Sequence, residues 1–201
     1  MYPEIIPPSI KLKSVLSYVV LVLLAVLSGF GVAIYRISSI QTSPAFAQYG
    51  SWRGSKDLPL NRDDLVTTQV TLFALFALPS SEAIYLFASG DADNKLLTGK
   101  SDYTLEGNIH HIKSAYWSIT AYGKDQFLIP NEVNRYSFNA HNMATDSLGN
   151  FKITLSAEQK PGNWLPVKKD APFRLVLRIY QGEKDFVEHL ESAGLPVIRK
   201  I

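Results

Sequence analysis

Arg135, Tyr136 and His141 lie close together in the sequence and carry a permanent positive charge, a phenol and an imidazole. These groups suit an elimination on an acidic sugar. Tyr136 or His141 takes a proton from the carbon beside a uronate carboxylate, and Arg135 neutralises that carboxylate as the reaction proceeds. Asn131 and Asn134 stand in the same loop, after Pro130. The simpler assignment for the whole group is structural, because loop Asn and Arg side chains commonly satisfy backbone groups. A second set is set up for binding. Tyr116, Ser118, Thr120 and Tyr122 alternate along one segment, and Arg174, Arg178 and Tyr180 have the same parity along another. On strands each set shares one side. If the two sides coincide, rings that stack on sugars and guanidinium forks that match carboxylates line one surface. Ligand contacts are therefore expected at Tyr116, Tyr122, Asn131, Arg178 and Tyr180. The alternative is the ordinary solvent side of a sheet, or rings packed beneath helices.

Other chemistries find little support. There is no G-x-S-x-G elbow, no H-E-x-x-H, no phosphate-binding glycine loop and no dinucleotide fingerprint. His110 and His111 are adjacent, with Asp102, His141 and Asp146 not far in sequence. Neighbouring side chains on a strand point to opposite faces, so a solvated loop pair is expected there and no metal site. His189 follows Asp185 by four residues, the spacing of a surface pair on a helix. No cofactor is expected.

The elements that must position these residues are mostly strands. Ile84, Leu86 and Ala88 alternate with Tyr85, Phe87 and Ser89; Trp117, Ile119 and Ala121 with Ser118, Thr120 and Tyr122; Phe151, Ile153 and Leu155 with Lys152, Thr154 and Ser156. Phe173, Leu175, Leu177 and Ile179 do the same against Arg174, Val176, Arg178 and Tyr180. Period two predicts half-buried strands. Asp91-Ala92-Asp93-Asn94, Gly123-Lys124-Asp125 and Leu148-Gly149-Asn150 are turn-forming breaks between them. Many short strands predict a mainly β domain, an antiparallel β-sandwich or jelly-roll-like barrel with one or two peripheral helices. The Arg135 and Trp164 segments read as connecting loops, with Trp164 plugging the core. Asn61 is placed to cap a helix reaching Leu78, with a strand as the alternative because of its Val and Thr content. Phe186, Val187, Leu190 and Ala193 share one face of a short helix that Gly194 can stop, and Val197 to Ile201 can return as an edge strand.

Of 201 residues, 20 are basic and 18 acidic; setting aside Lys11, Lys13, Arg36 and Glu4 in the first forty leaves 17 of each. A neutral domain without a basic tract argues against a nucleic-acid partner. There are no cysteines, which excludes disulfides and thiol chemistry. Val15 to Ile34 carries no charge and, as a helix, spans roughly 30 Å, the hydrocarbon thickness of a bilayer. Lys11 and Lys13 before it place the N-terminus in the cytoplasm by the positive-inside rule. The expected organisation is a cytoplasmic N-terminus (1–14), a transmembrane anchor (15–36), a tether (37–60) and an exported domain (61–201). The competing reading is a signal peptide cleaved after Ala45-Phe46-Ala47. Ala25, Gly29 and Ala33 repeat every four residues, a small-residue face that permits a homodimer as well as ordinary lipid contact.

Several rare-residue motifs occur in a fixed order: Trp117-Ser118-Ile119-Thr120-Ala121-Tyr122, Phe127-Leu128-Ile129-Pro130-Asn131, Asn134-Arg135-Tyr136-Ser137 and Gly162-Asn163-Trp164-Leu165-Pro166, closing on Leu177-Arg178-Ile179-Tyr180. In this order they resemble the bacterial domain-of-unknown-function family 1214, best from Ser81 to the C-terminus. The resemblance implies a compact, mainly β domain in the family's short, membrane-anchored form. Longer members carry a second module ahead of it that is missing here. Leu58-Pro59-Leu60-Asn61-Arg62 departs from the aspartate, proline and tyrosine expected at that point. The functional expectation is an accessory domain of the bacterial inner membrane, single-pass and displayed in the periplasm. It would bind a small ligand, another envelope protein or a separately encoded companion module. The alternative is a carbohydrate-active enzyme of polysaccharide-lyase type acting on an acidic glycan.

Overall fold

A computed structural model describes residues 12–38, 46–56 and 78–201. The Asn61 helix, the segment Leu58 to Arg62, Lys11, and Ala45 of the cleavage motif lie outside the described residues. The chain divides into two units, residues 1–42 and 43–201. In the first, α1 (Leu12–Ser38) is a single helix. Its stretch Val15–Tyr35 is long and apolar enough to cross a membrane, as a signal sequence also is, and none of it is buried. Ala25, Gly29 and Ala33 are exposed on it.

The second unit is built on two sheets. One has six strands in the order β1 (Ala47–Tyr49), β2 (Trp52–Gly54), β3 (Ala83–Ala88), β9 (Phe173–Gly182), β5 (Ser114–Gly123), β6 (Ser137–Asn139). The other has four, in the order β10 (Val197–Lys200), β4 (Tyr103–Asn108), β7 (Asn150–Ser156), β8 (Asn163–Pro166). Their facing sides share one core: Leu86, Ile119, Leu175, Leu177 and Ile179 from the first, Leu105, Ile153, Leu155, Leu165 and Ile198 from the second, all fully buried. Each such side chain contributes about 1.5–3 kcal/mol relative to exposure, which holds the sheets face to face. Trp117 meets Phe151 across the layers with ring centroids 5.8 Å apart. The mainly β two-sheet expectation holds.

Three local readings change. Ala47–Tyr49 and Trp52–Gly54 fall within the expected tether 37–60, yet they pair into the six-stranded sheet, so the folded unit starts well before residue 61. The reason is Trp52, which is fully buried and donates its indole N–H to the Pro196 carbonyl at 2.6 Å. Asn163–Pro166 is a strand, not a loop, and pairs parallel to β7. It lies at the sheet edge, where Pro166 needs no ladder donor. The central strands are more than half-buried: in β5 Ser118, Thr120 and Tyr122 are buried along with Trp117, Ile119 and Ala121. β10 is the expected edge strand. The final helix, α2 (Lys184–Glu188), is short; Phe186 and Leu190 anchor the segment and Gly194 ends it at φ +66°.

Candidate functional site

The two polar strand sides do coincide. β5 and β9 are antiparallel neighbours in a register that sets Tyr116 opposite Tyr180, Ser118 opposite Arg178, Thr120 opposite Val176 and Tyr122 opposite Arg174. Directly opposed residues project from the same face of a sheet. This is the face away from the shared core, since the alternate partners, such as Ile119 and Leu177, are core residues. β3 extends it on the other side of β9, with Tyr85 opposite Arg178 and Phe87 opposite Val176, and β2 adds Arg53 opposite Phe87. β6 adds Asn139 opposite Ser118 and Ser137 opposite Thr120.

The rings form a row across three strands. Tyr116 and Tyr180 have centroids 5.9 Å apart, and Tyr180 meets Tyr85 edge-on at 6.5 Å. Asn139 donates its amide to the Tyr116 hydroxyl at 3.2 Å. Tyr116 is 40% exposed, whereas Tyr85 and Tyr122 are buried, so the row runs from an open rim to an enclosed centre. Burial first, and then the charge and hydrogen bond of Tyr180, push the Tyr85 phenol up to about 12, with Arg178 acting in the opposite direction.

Arg178 lies 5.3 Å from the Tyr122 ring centroid. It donates to the Thr120 hydroxyl at 3.1 Å and to the Tyr122 hydroxyl. Arg174 lies 5.3 Å from the Phe87 ring centroid and donates to the Gln126 amide oxygen at 3.1 Å. Burial lowers the proton affinity of Arg174; Tyr122 opposes this and the like charge of Arg178 reinforces it. The paired strands place no carboxylate on this face.

The loop constellation is built differently. Asn131 donates to the carbonyls of Ile129 and Arg135, both at 3.0 Å, and accepts the Arg135 backbone N–H at 3.0 Å. It closes the loop around Asn134, whose φ is +51°. Arg135 donates to the Trp164 carbonyl at 3.3 Å and lies over the Phe138 ring at 5.6 Å. The Tyr136 hydroxyl donates to Asn134 at 3.2 Å. His141 is exposed in the turn after β6, where its backbone N–H meets Asn139 at 2.8 Å. Asn131, Arg135 and Tyr136 therefore all hold the chain, and none of them bonds to the aromatic face. His110 and His111 sit in the turn after β4, and among the described residues no group of three or more His, Cys, Asp or Glu is placed to hold a metal ion. Tyr85, Phe87 and Arg53 are the face residues that sequence reading passed over. Alternation in β3 marked the first two, but Arg53 stood in a segment read as tether.

The family model described as "Protein of unknown function (DUF1214)" matches residues 82–184. No curated protein matches the sequence. Among solved structures, the VPA0106 protein from Vibrio parahaemolyticus is similar, with 22% identity, a TM-score of 0.57, and coverage of 97% of this chain and 47% of its own. An uncharacterized protein from Burkholderia cenocepacia is 17% identical with a TM-score of 0.43, over 87% of this chain and 42% of its own. The chain thus spans less than half the length of either.

Proposed function

The chain belongs to the DUF1214 family of proteins of unknown function, and from that premise we propose that it is a membrane-anchored binding module displayed in the periplasm. Its ligand surface is the outer face of the six-stranded sheet. The observation that carries this is the β5–β9 register, which brings Tyr116, Tyr122, Arg178 and Tyr180 to one face. Tyrosines at an exposed rim offer apolar ring faces for stacking at low entropic cost, and arginines behind them select an acidic or polar group. Nothing on the face pairs an acid with a base at bonding distance, which favours binding over catalysis. An envelope protein or a separately encoded companion module would reach the same rim.

Full-length protein in nanodiscs, titrated with acidic and neutral oligosaccharides, tests this reading. Tyr116→Ala and Tyr180→Ala should each weaken binding by about 1 kcal/mol or more, the worth of a stacked ring, with little change in melting temperature. If both variants bind every ligand as tightly as the parent, the face is not the ligand surface. Release of unsaturated uronate product, abolished by Arg135→Ala or by replacing Tyr136 or His141, would instead move the chain to the polysaccharide-lyase alternative.

A further inference from the structure

The arginines of this face are placed in a way that ring stacking alone does not require. Arg174 and Arg178 are separated along β9 by about 13 Å of strand at 3.3 Å per residue. Their side chains nevertheless converge, because Arg178 reaches over Tyr122, the cross-strand neighbour of Arg174. Arg53 and Arg174 meet in the same way at Phe87: Arg53 is its cross-strand partner, and Arg174 lies over its ring. The Nε atoms of Arg53 and Arg174 are buried with no hydrogen-bond partner. Among the described residues none of the three guanidiniums forms an ion pair. Removing a guanidinium from water without a counter-charge is costly, and two of them side by side add repulsion.

We propose that Arg53, Arg174 and Arg178 form a binding site for an oxyanion, a carboxylate or a phosphate, seated beside the rings of Phe87 and Tyr122. The site rests on the reading of this face as a ligand surface and gives that ligand its charge. An anion there accepts the orphaned N–H groups, cancels the like-charge repulsion, and meets donors in the planar geometry that suits carboxylate and phosphate. The lowered proton affinity of Arg174 has the same origin. The neighbouring rings provide an apolar wall for whatever carries the anion.

The test is calorimetry and thermal melting of the full-length protein in detergent, with inorganic phosphate, D-glucuronate and D-glucose at matched ionic strength. At least one anion should bind saturably and raise the melting temperature, while glucose should do neither. Phosphate binding without glucuronate assigns the site to phosphoryl groups, and glucuronate without phosphate assigns it to acidic sugars. Arg174→Gln and Arg178→Gln should each weaken the anion at least about tenfold, the worth of a charge-assisted pair, with Arg178→Lys falling between. Without anion these variants should melt no lower than the parent, since each removes a repelling charge. Failure of both anions to bind, or unchanged affinity in both Gln variants, overturns the site. So does a lowered melting temperature with unchanged affinity. Neutral oligosaccharides that bind through Tyr116 and Tyr180 while anions do nothing would sink the oxyanion site and leave the ligand face. Phosphate bound with no organic ligand would do the reverse.

Discussion

Tyr85 shows how far a fold can alter one side chain. Its phenol is buried beside Tyr180 and pushed up to about 12. A phenol that keeps its proton longer in the folded chain stabilises that chain below the ordinary value near 10. The contribution is lost as pH rises from about 10 to about 12, where the unfolded chain ionises first. Absorbance titration should therefore show a late phenolate step that Tyr85→Phe removes, and the variant should lose less stability across that window. A Tyr85 step near 10 would contradict the enclosure described for it. Arg135 makes the opposite case. Its guanidinium is held by the Trp164 carbonyl and the Phe138 ring on an exposed loop. Arg135→Ala should cost at most about 1 kcal/mol in denaturant unfolding and leave anion binding intact. Loss of binding in a fully folded Arg135→Ala protein would return this residue to the site.

At the scale of elements, β2 is a short strand with a large role. Trp52 is fully buried in the core and bonds the Pro196 carbonyl, so β2 ties the six-stranded sheet to the segment entering β10. Trp52→Ala should destabilise by about 3–5 kcal/mol, read as a shifted denaturation midpoint at unchanged slope. Gly54 sits where a Cβ would lie 2.5 Å from the Tyr85 carbonyl oxygen and 2.6 Å from Leu86 Cδ2. Gly54→Val should cost about 1–3 kcal/mol by overpacking the β2–β3 contact; a neutral result would mean that β2 packs less closely than described. Alternation made β3, β5, β7 and β9 legible, because each sets a continuous apolar row against the core. It did not reveal β2 or β8. Trp52-Arg53-Gly54 and Asn163-Trp164-Leu165-Pro166 are too short to show a period and carry Gly or Pro. Their strand state comes from partners distant in sequence.

At the scale of the whole chain, the 21-residue apolar stretch of α1 is the feature with the clearest consequence. If it anchors the protein with its basic end inside, a C-terminal alkaline phosphatase fusion should be active in cells, and the purified protein should keep its N-terminus. A mature chain beginning at Gln48 would identify the segment as a cleaved signal instead. Composition, the charge-free span and the period-two segments determined the fold class and the apolar helix, because burial and bilayer thickness act on local patterns that a sequence displays directly. The ordered motifs likewise determined the family. The tertiary structure alone decided that Tyr116 and Tyr122 share a face with Arg178 and Tyr180, and that Arg53 joins them while Arg135 remains in a loop. Strand order and register arise from packing between segments far apart in the chain, and a one-residue slip would have sent every one of those side chains to the opposite face.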